Sequence, residues 1–118
     1  MGWLRNRRAR LRRAPRSGRA APIDHQAVTH LTEFVQTHRG VEGFIELPTT
    51  VTPTTLLLVA YDGEWTRRRV PSPEWARSFA KHLEIPGYDA AVVGYPQRMR
   101  DYNHRQKLQA RRKLADET

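Results

Sequence analysis

Four consecutive apolar residues, Leu56, Leu57, Leu58 and Val59, sit inside a run from Thr54 to Tyr61 that leads directly into Asp62-Gly63. Successive strand side chains point to opposite faces, so an unbroken apolar run buries both faces and belongs in the middle of a sheet. Asp-Gly is a strong two-residue hairpin turn because both of its positions tolerate positive φ. The chain is therefore expected to return as a strand from Trp65 to Val70. That turn sets Tyr61 opposite Glu64, Ala60 opposite Trp65, Leu58 opposite Arg67 and Leu56 opposite Arg69, with Val59 and Thr66, and Leu57 and Arg68, on the other face. The returning strand is amphipathic at best, which suits an edge, where arginines also discourage edge-to-edge aggregation.

Around this hairpin the remaining elements follow. Asp24 caps a first helix whose Ala27, Leu31, Phe34 and Val35 recur at helical spacing, with Ile23 and Val28 placed as a hydrophobic staple and Gly40 as the stop. Val41 to Leu47 alternates as a strand, Val41, Ile45 and Leu47 on one face, Glu42, Phe44 and Glu46 on the other. Ser72-Pro73-Glu74 opens a second helix carrying the stripe Trp75, Phe79, Leu83, which ends before Pro86-Gly87. Residues 88–95 read as a short strand or a helical turn. Pro96 opens a basic helix running to about Leu114 whose last turns have no apolar stripe, with Asp116 and Glu117 opposing the helix dipole and predicting fraying. The order α-β-β-β-α predicts an α+β fold: a small antiparallel sheet of three or four strands, helices on one face, and a basic C-terminal helix. Three regions result: an arginine arm over 1–22, a core over 23–95 and the basic helix over 96–118.

The charge follows the same division. Residues 1–20 carry eight arginines and no acid, residues 21–95 hold six Lys+Arg against nine acids, and residues 96–118 hold seven against three. The arginine segment repels itself and has little apolar surface to bury, which predicts disorder in the free chain. The arginine fork pairs two phosphate oxygens at once, and the segment reads as a nucleic-acid arm. A solubilising tail, an anchor to an anionic membrane surface through Trp3, Leu4 and Leu11, and a transit peptide are the competing readings. There is no cysteine, and the longest apolar run is far short of the roughly 20 residues that span a bilayer. A cytoplasmic protein is expected.

The α-β-β-β-α order resembles the double-stranded-RNA-binding domain, whose last helix begins with small and basic residues that contact phosphates. Glu74 stands here where that family places a cation, and its lysine-rich helix start is missing. The hairpin from Ala60 to Arg67 with its helix also looks like sheet-and-helix DNA-binding domains of integrase-arm type. Over residues 40–104, through the segments 62–69 and 93–102, the chain is similar to short actinobacterial proteins of unknown function, a resemblance that implies no activity.

For chemistry, the arginines dominate. Arg67 and Arg69 share a strand face and can grip phosphates beside Trp65 or Tyr61, which can stack on a base; the same arginine stems can equally cover a buried Trp65. Arg98, Arg100, Arg105, Lys107, Arg111, Arg112 and Lys113 make the last helix basic over much of its circumference. Tyr95 and Arg98 flank a turn that could hold a ligand or pack on the sheet. No histidine pair has the i, i+4 spacing of a zinc helix, and neither a phosphate loop nor a nucleophile elbow is present. Asp62 and Glu64 read as a turn support and a solvent-facing acid. The sequence reading is a non-enzymatic nucleic-acid-associated protein without cofactor or metal. It binds DNA or structured RNA through Arg5, Arg7, Arg8, Arg10, Arg12 and Arg13, the sheet edge Trp65, Arg67 and Arg69, and the helix residues Arg98, Arg100 and Arg105. The alternative is a protein-interaction module whose acidic core docks a partner.

Overall fold

The computed structural model describes residues 22–117. The elements are α1 (His25–Thr37), β1 (Glu42–Glu46), β2 (Thr55–Val59), β3 (Trp65–Arg69), α2 (Pro73–His82), β4 (Gly87–Asp89), α3 (Ala90–Val93) and α4 (Gln97–Glu117). Both expected caps form: Asp24 accepts from the N–H groups of Gln26 and Ala27, and Ser72 Oγ from that of Trp75. The arm over 1–22 lies almost wholly outside the described residues.

The fold is α+β, with one four-stranded sheet in the order β3-β2-β1-β4. As expected, β2 is central and β3 is an edge. The sheet is mixed rather than antiparallel: β1, β2 and β3 form the antiparallel meander, but β4 joins β1 in parallel. The helix α2 carries the chain back along the sheet before β4 starts, and such a crossover delivers a strand in parallel. Residues 88–95 satisfy both readings in turn, since β4 ends at Asp89, whose carboxylate caps the helical turn α3 through the Ala91 N–H.

The hairpin register is the main correction. Val59 stands opposite Trp65, Leu58 opposite Thr66, Leu57 opposite Arg67, Leu56 opposite Arg68 and Thr55 opposite Arg69, one residue away from the two-residue-turn pairing. Ala60 N–H donates to Glu64 C=O and Gly63 N–H to Ala60 C=O, so the loop is the three residues Tyr61-Asp62-Gly63. Only Gly63, at φ +94°, takes positive φ. Asp62 uses its carboxylate to accept the Glu64 N–H, at 3.0 Å, instead of adopting the positive φ that a two-residue turn demands. A one-residue slip moves every side chain of a strand to the other face. Trp65, Arg67 and Arg69 therefore share the sheet face of Phe44, Leu57 and Val59, and Thr66 and Arg68 share that of Leu56 and Leu58.

The sheet thus has two unlike faces. On the first, Leu31 and Phe34 of α1 and Ala76 and Phe79 of α2 pack on Val41, Ile45, Leu56, Leu58, Ala60 and Val70. On the second, Phe44, Leu57 and Val59 are covered by Ala90 of α3, Met99 of α4 and Trp65. Helices cover both faces, because the reach from β4 through α3 turns α4 onto the side that α1 and α2 leave open.

Candidate nucleic-acid interface

The first turns of α4 dock onto the hairpin. Gly63 marks the closest approach: a Cβ there would lie 2.0 Å from the Arg98 carbonyl oxygen. Arg98 ties the helix down, its Nε donating to Ala60 C=O at 2.9 Å and its Nη2 to the Glu42 carboxylate and, at 3.4 Å, to Val59 C=O. Arg105 donates to the Asp62 carbonyl at 2.9 Å and lies over the Tyr102 ring. Trp65 is half-buried with its indole N–H on Asn103 Oδ1 at 2.8 Å. Its donor is thus committed to the helix.

The sheet edge has its own network, centred on Glu46. Arg67 bonds this carboxylate through Nε (2.7 Å) and Nη2 (3.1 Å), Thr55 donates its hydroxyl at 2.6 Å, and the Tyr95 hydroxyl donates to the second oxygen. Burial alone would raise the Glu46 pKa, but the hydrogen bonds from Arg67, Thr55 and Tyr95 outweigh it and hold the carboxyl below its ordinary value. The same bond to Glu46, aided by burial, pushes the Tyr95 hydroxyl up. The Arg67 guanidinium also covers the Trp65 ring, 5.4 Å from its centroid. Its neighbour Arg68 donates to the Arg67 carbonyl at 2.7 Å, closing one outward-facing acceptor of the edge strand. Arg69 is exposed and has no partner among the described residues.

The sequence-selected arginines thus divide by geometry. Arg67, Arg98 and Arg105 are engaged by the protein itself, and Arg100 bonds Gln97 within its helix at 3.2 Å. Arg69 shares the strand face of Arg67 but not its carboxylate. Arg5, Arg7, Arg8, Arg10, Arg12 and Arg13 lie outside the described residues. Glu42 and Glu46, the two acids that organise the face, escaped notice although their alternation with Phe44 was legible. The missing information was which cations the fold would bring to them.

Beyond Arg105, α4 leaves the core. Every residue from Gln106 to Glu117 is exposed, and Lys107, Arg111, Arg112 and Lys113 have no partner among the described residues. At 1.5 Å per residue this half projects about 18 Å. Helical order persists to Glu117, past the Leu114 limit that the spacing predicted. The docked half supplies the nucleus that a free helix of this length lacks. Among the described residues no helix is long and apolar enough to cross a membrane, and no three His, Asp or Glu side chains gather as a metal site. No family model, curated protein or solved structure matches this chain.

Proposed function

We propose that this chain binds nucleic acid, DNA or structured RNA, and that the folded core serves to hold the projecting half of α4 in a fixed direction. The observation that supports this reading is the exposed quartet Lys107, Arg111, Arg112 and Lys113, without partners among the described residues, on a helix anchored at its other end by Arg98 and Gly63. Cations spread around a helix contact phosphates on either side of a groove and release condensed counterions, a sequence-independent and salt-sensitive source of affinity. The arginines of the N-terminal segment add to this term. Arg69 extends the basic surface on the sheet, whereas Arg67, Arg98 and Arg105 contribute by positioning α4 and the edge. The chain has no enzymatic role in this reading.

The test is a salt titration of binding to short duplex DNA and to structured RNA with the full chain, with residues 23–118, and with Lys107, Arg111, Arg112 and Lys113 all changed to Gln. Each lost phosphate contact on duplex DNA lowers the log–log slope by about 0.9. The quadruple variant is expected to lose more than tenfold in affinity with a shallower slope, and Arg67→Gln to bind within about twofold of the parent. An unchanged slope in the quadruple variant removes α4 from the interface.

A protein-interaction role for the core is the second reading, favoured by the exposed apolar side chains Val92, Val93 and Tyr95 beside β4. Purified protein free of salt-removable material absorbing at 260 nm, with no affinity for either nucleic acid, selects it.

A further inference from the structure

The second face of the sheet carries a cavity of about 190 Å³ between β1, β4 and the α3–α4 junction, away from the helix half considered above. Its lining is aromatic: Phe44 with Tyr88, ring centroids 5.6 Å apart and planes at 37°, together with Tyr95. Val93 and Pro96 complete the walls and Glu42 supplies one carboxylate. Both tyrosines are held by acids. Tyr88 donates its hydroxyl to Glu42 Oε2 at 3.3 Å, and Tyr95 donates to Glu46.

Those bonds determine what the cavity can take. Tyr88 and Tyr95 have spent their hydroxyl protons, Pro96 has no N–H, and the Gly94 N–H is bonded to Ala90 C=O. An anion or a hydrogen-bond acceptor therefore finds no donor left among these groups. A guanidinium or primary ammonium group needs acceptors for its own protons. Glu42 already accepts from Arg98 on one oxygen and from Tyr88 on the other, so neither oxygen is left whole for a bidentate guanidinium fork. What remains is the negative face of the aromatic rings: no lining residue is a cation, and the Glu42 charge is already paired with Arg98. That environment attracts a positive charge that has no protons to satisfy.

We infer that this cavity binds a methylated ammonium group. The rings of Tyr88 and Tyr95 flank the cation, Phe44 forms the floor, and the carboxylates fix both phenol rings in place. The group can be the head of a small quaternary amine or the side chain of a trimethylated lysine. Gly94 suits the site because its φ of +74° with ψ near 180° is open almost only to glycine and turns the chain so that Val93 and Tyr95 both border the cavity.

The test uses the full chain titrated with choline and with 3,3-dimethyl-1-butanol, its uncharged isostere, while the Tyr88 and Tyr95 ring resonances are followed by NMR. Saturable shifts with choline and a roughly tenfold weaker response to the isostere are expected. Equal binding of the two, or no saturation with choline, overturns the inference. Tyr88→Ala and Tyr95→Ala are expected to abolish choline binding. Val93→Lys, at a position 54% exposed, tests the same point without touching the aromatic anchors: its added cation should repel choline while the fold, checked by circular dichroism, is kept. Choline affinity unchanged in Val93→Lys overturns the assignment. A trimethyl-lysine peptide titrated beside its unmethylated form identifies the source: binding tighter than choline supports a protein side chain, and binding weaker than choline supports a small molecule. Because the quartet on α4 is untouched in Val93→Lys, nucleic-acid affinity measured in parallel keeps failure of this site separate from failure of the proposed function.

Discussion

The two halves of α4 have similar composition and opposite fates. From Gln97 to Arg105 the helix lies against the hairpin, and Arg98 and Arg105 are consumed by backbone carbonyls and a carboxylate. From Gln106 to Glu117 every residue is exposed, and its four cations have no partner among the described residues. A charge count along the sequence treats the two halves alike. The difference is the set of acceptors within reach: the hairpin presents the Val59, Ala60 and Asp62 carbonyls, and β1 presents Glu42, to the first half, and among the described residues neither reaches the cations of the second. An arginine within hydrogen-bond reach of the protein's own acceptors becomes part of the fold, and one without them stays available to a polyanion.

The comparison breaks most severely if the docking point is filled. Gly63→Ala places a Cβ on the Arg98 carbonyl and demands a positive φ from alanine, so α4 should lift from the hairpin at a cost of about 3 kcal/mol in urea unfolding. A loss below about 1 kcal/mol means that the contact is not tight. Next comes Arg98→Ala, which removes one donor from each of the Ala60 and Val59 carbonyls and from Glu42 and should cost about 2 kcal/mol. Arg98→Lys should recover little of it, since an ammonium cannot fork across carbonyl and carboxylate together. Full recovery would reduce Arg98 to a point charge.

A smaller effect is expected at Glu46, where Glu46→Gln should cost about 1 kcal/mol at pH 7. Its sign with pH follows from the shifts. Glu46 is lowered in the fold, so its contribution is complete above the ordinary carboxyl value of 4.5 and disappears as pH falls through the lower folded value. Tyr95 is raised, so its contribution is complete below the ordinary value of 10 and disappears as pH rises through the higher folded value. The stability gap between wild type and Glu46→Gln should therefore be widest near neutrality and shrink at both ends; a gap independent of pH contradicts the network. The smallest stability effect belongs to the distal quartet. Changing Lys107, Arg111, Arg112 and Lys113 to Gln should alter folding stability by less than about 0.5 kcal/mol, since nothing in the core depends on them. A larger loss would show that the distal half is packed after all.

Much of the fold was legible because local rules and burial agreed. Asp24, Ser72 and Pro73 start their helices where capping chemistry places them, and Leu56 to Val59 form the central strand that a doubly apolar run requires. The hairpin register was not legible, because Asp62 chose a carboxylate bond to the Glu64 N–H over positive φ, and the two options differ by one residue of loop. The parallel attachment of β4 was hidden as well: a three-residue strand carries no periodicity, and its direction comes from the path of α2. At the candidate interface the cations were visible but their partners were not. Glu46 and Tyr95 are 49 residues apart and meet only when α3 turns the chain over β1.

By itself the sequence determined the element types, the centrality of β2 and the separation of a basic arm and helix from a slightly acidic middle, since these rest on neighbours along the chain and on total charge. Only the tertiary structure decided which sheet face each β3 arginine occupies, which cations are spent on Glu42 and Glu46, and that Phe44, Tyr88 and Tyr95 border one cavity. Pairing and cavity formation depend on distances between residues remote in sequence. A single residue of register, or the direction of one short strand, is enough to change them.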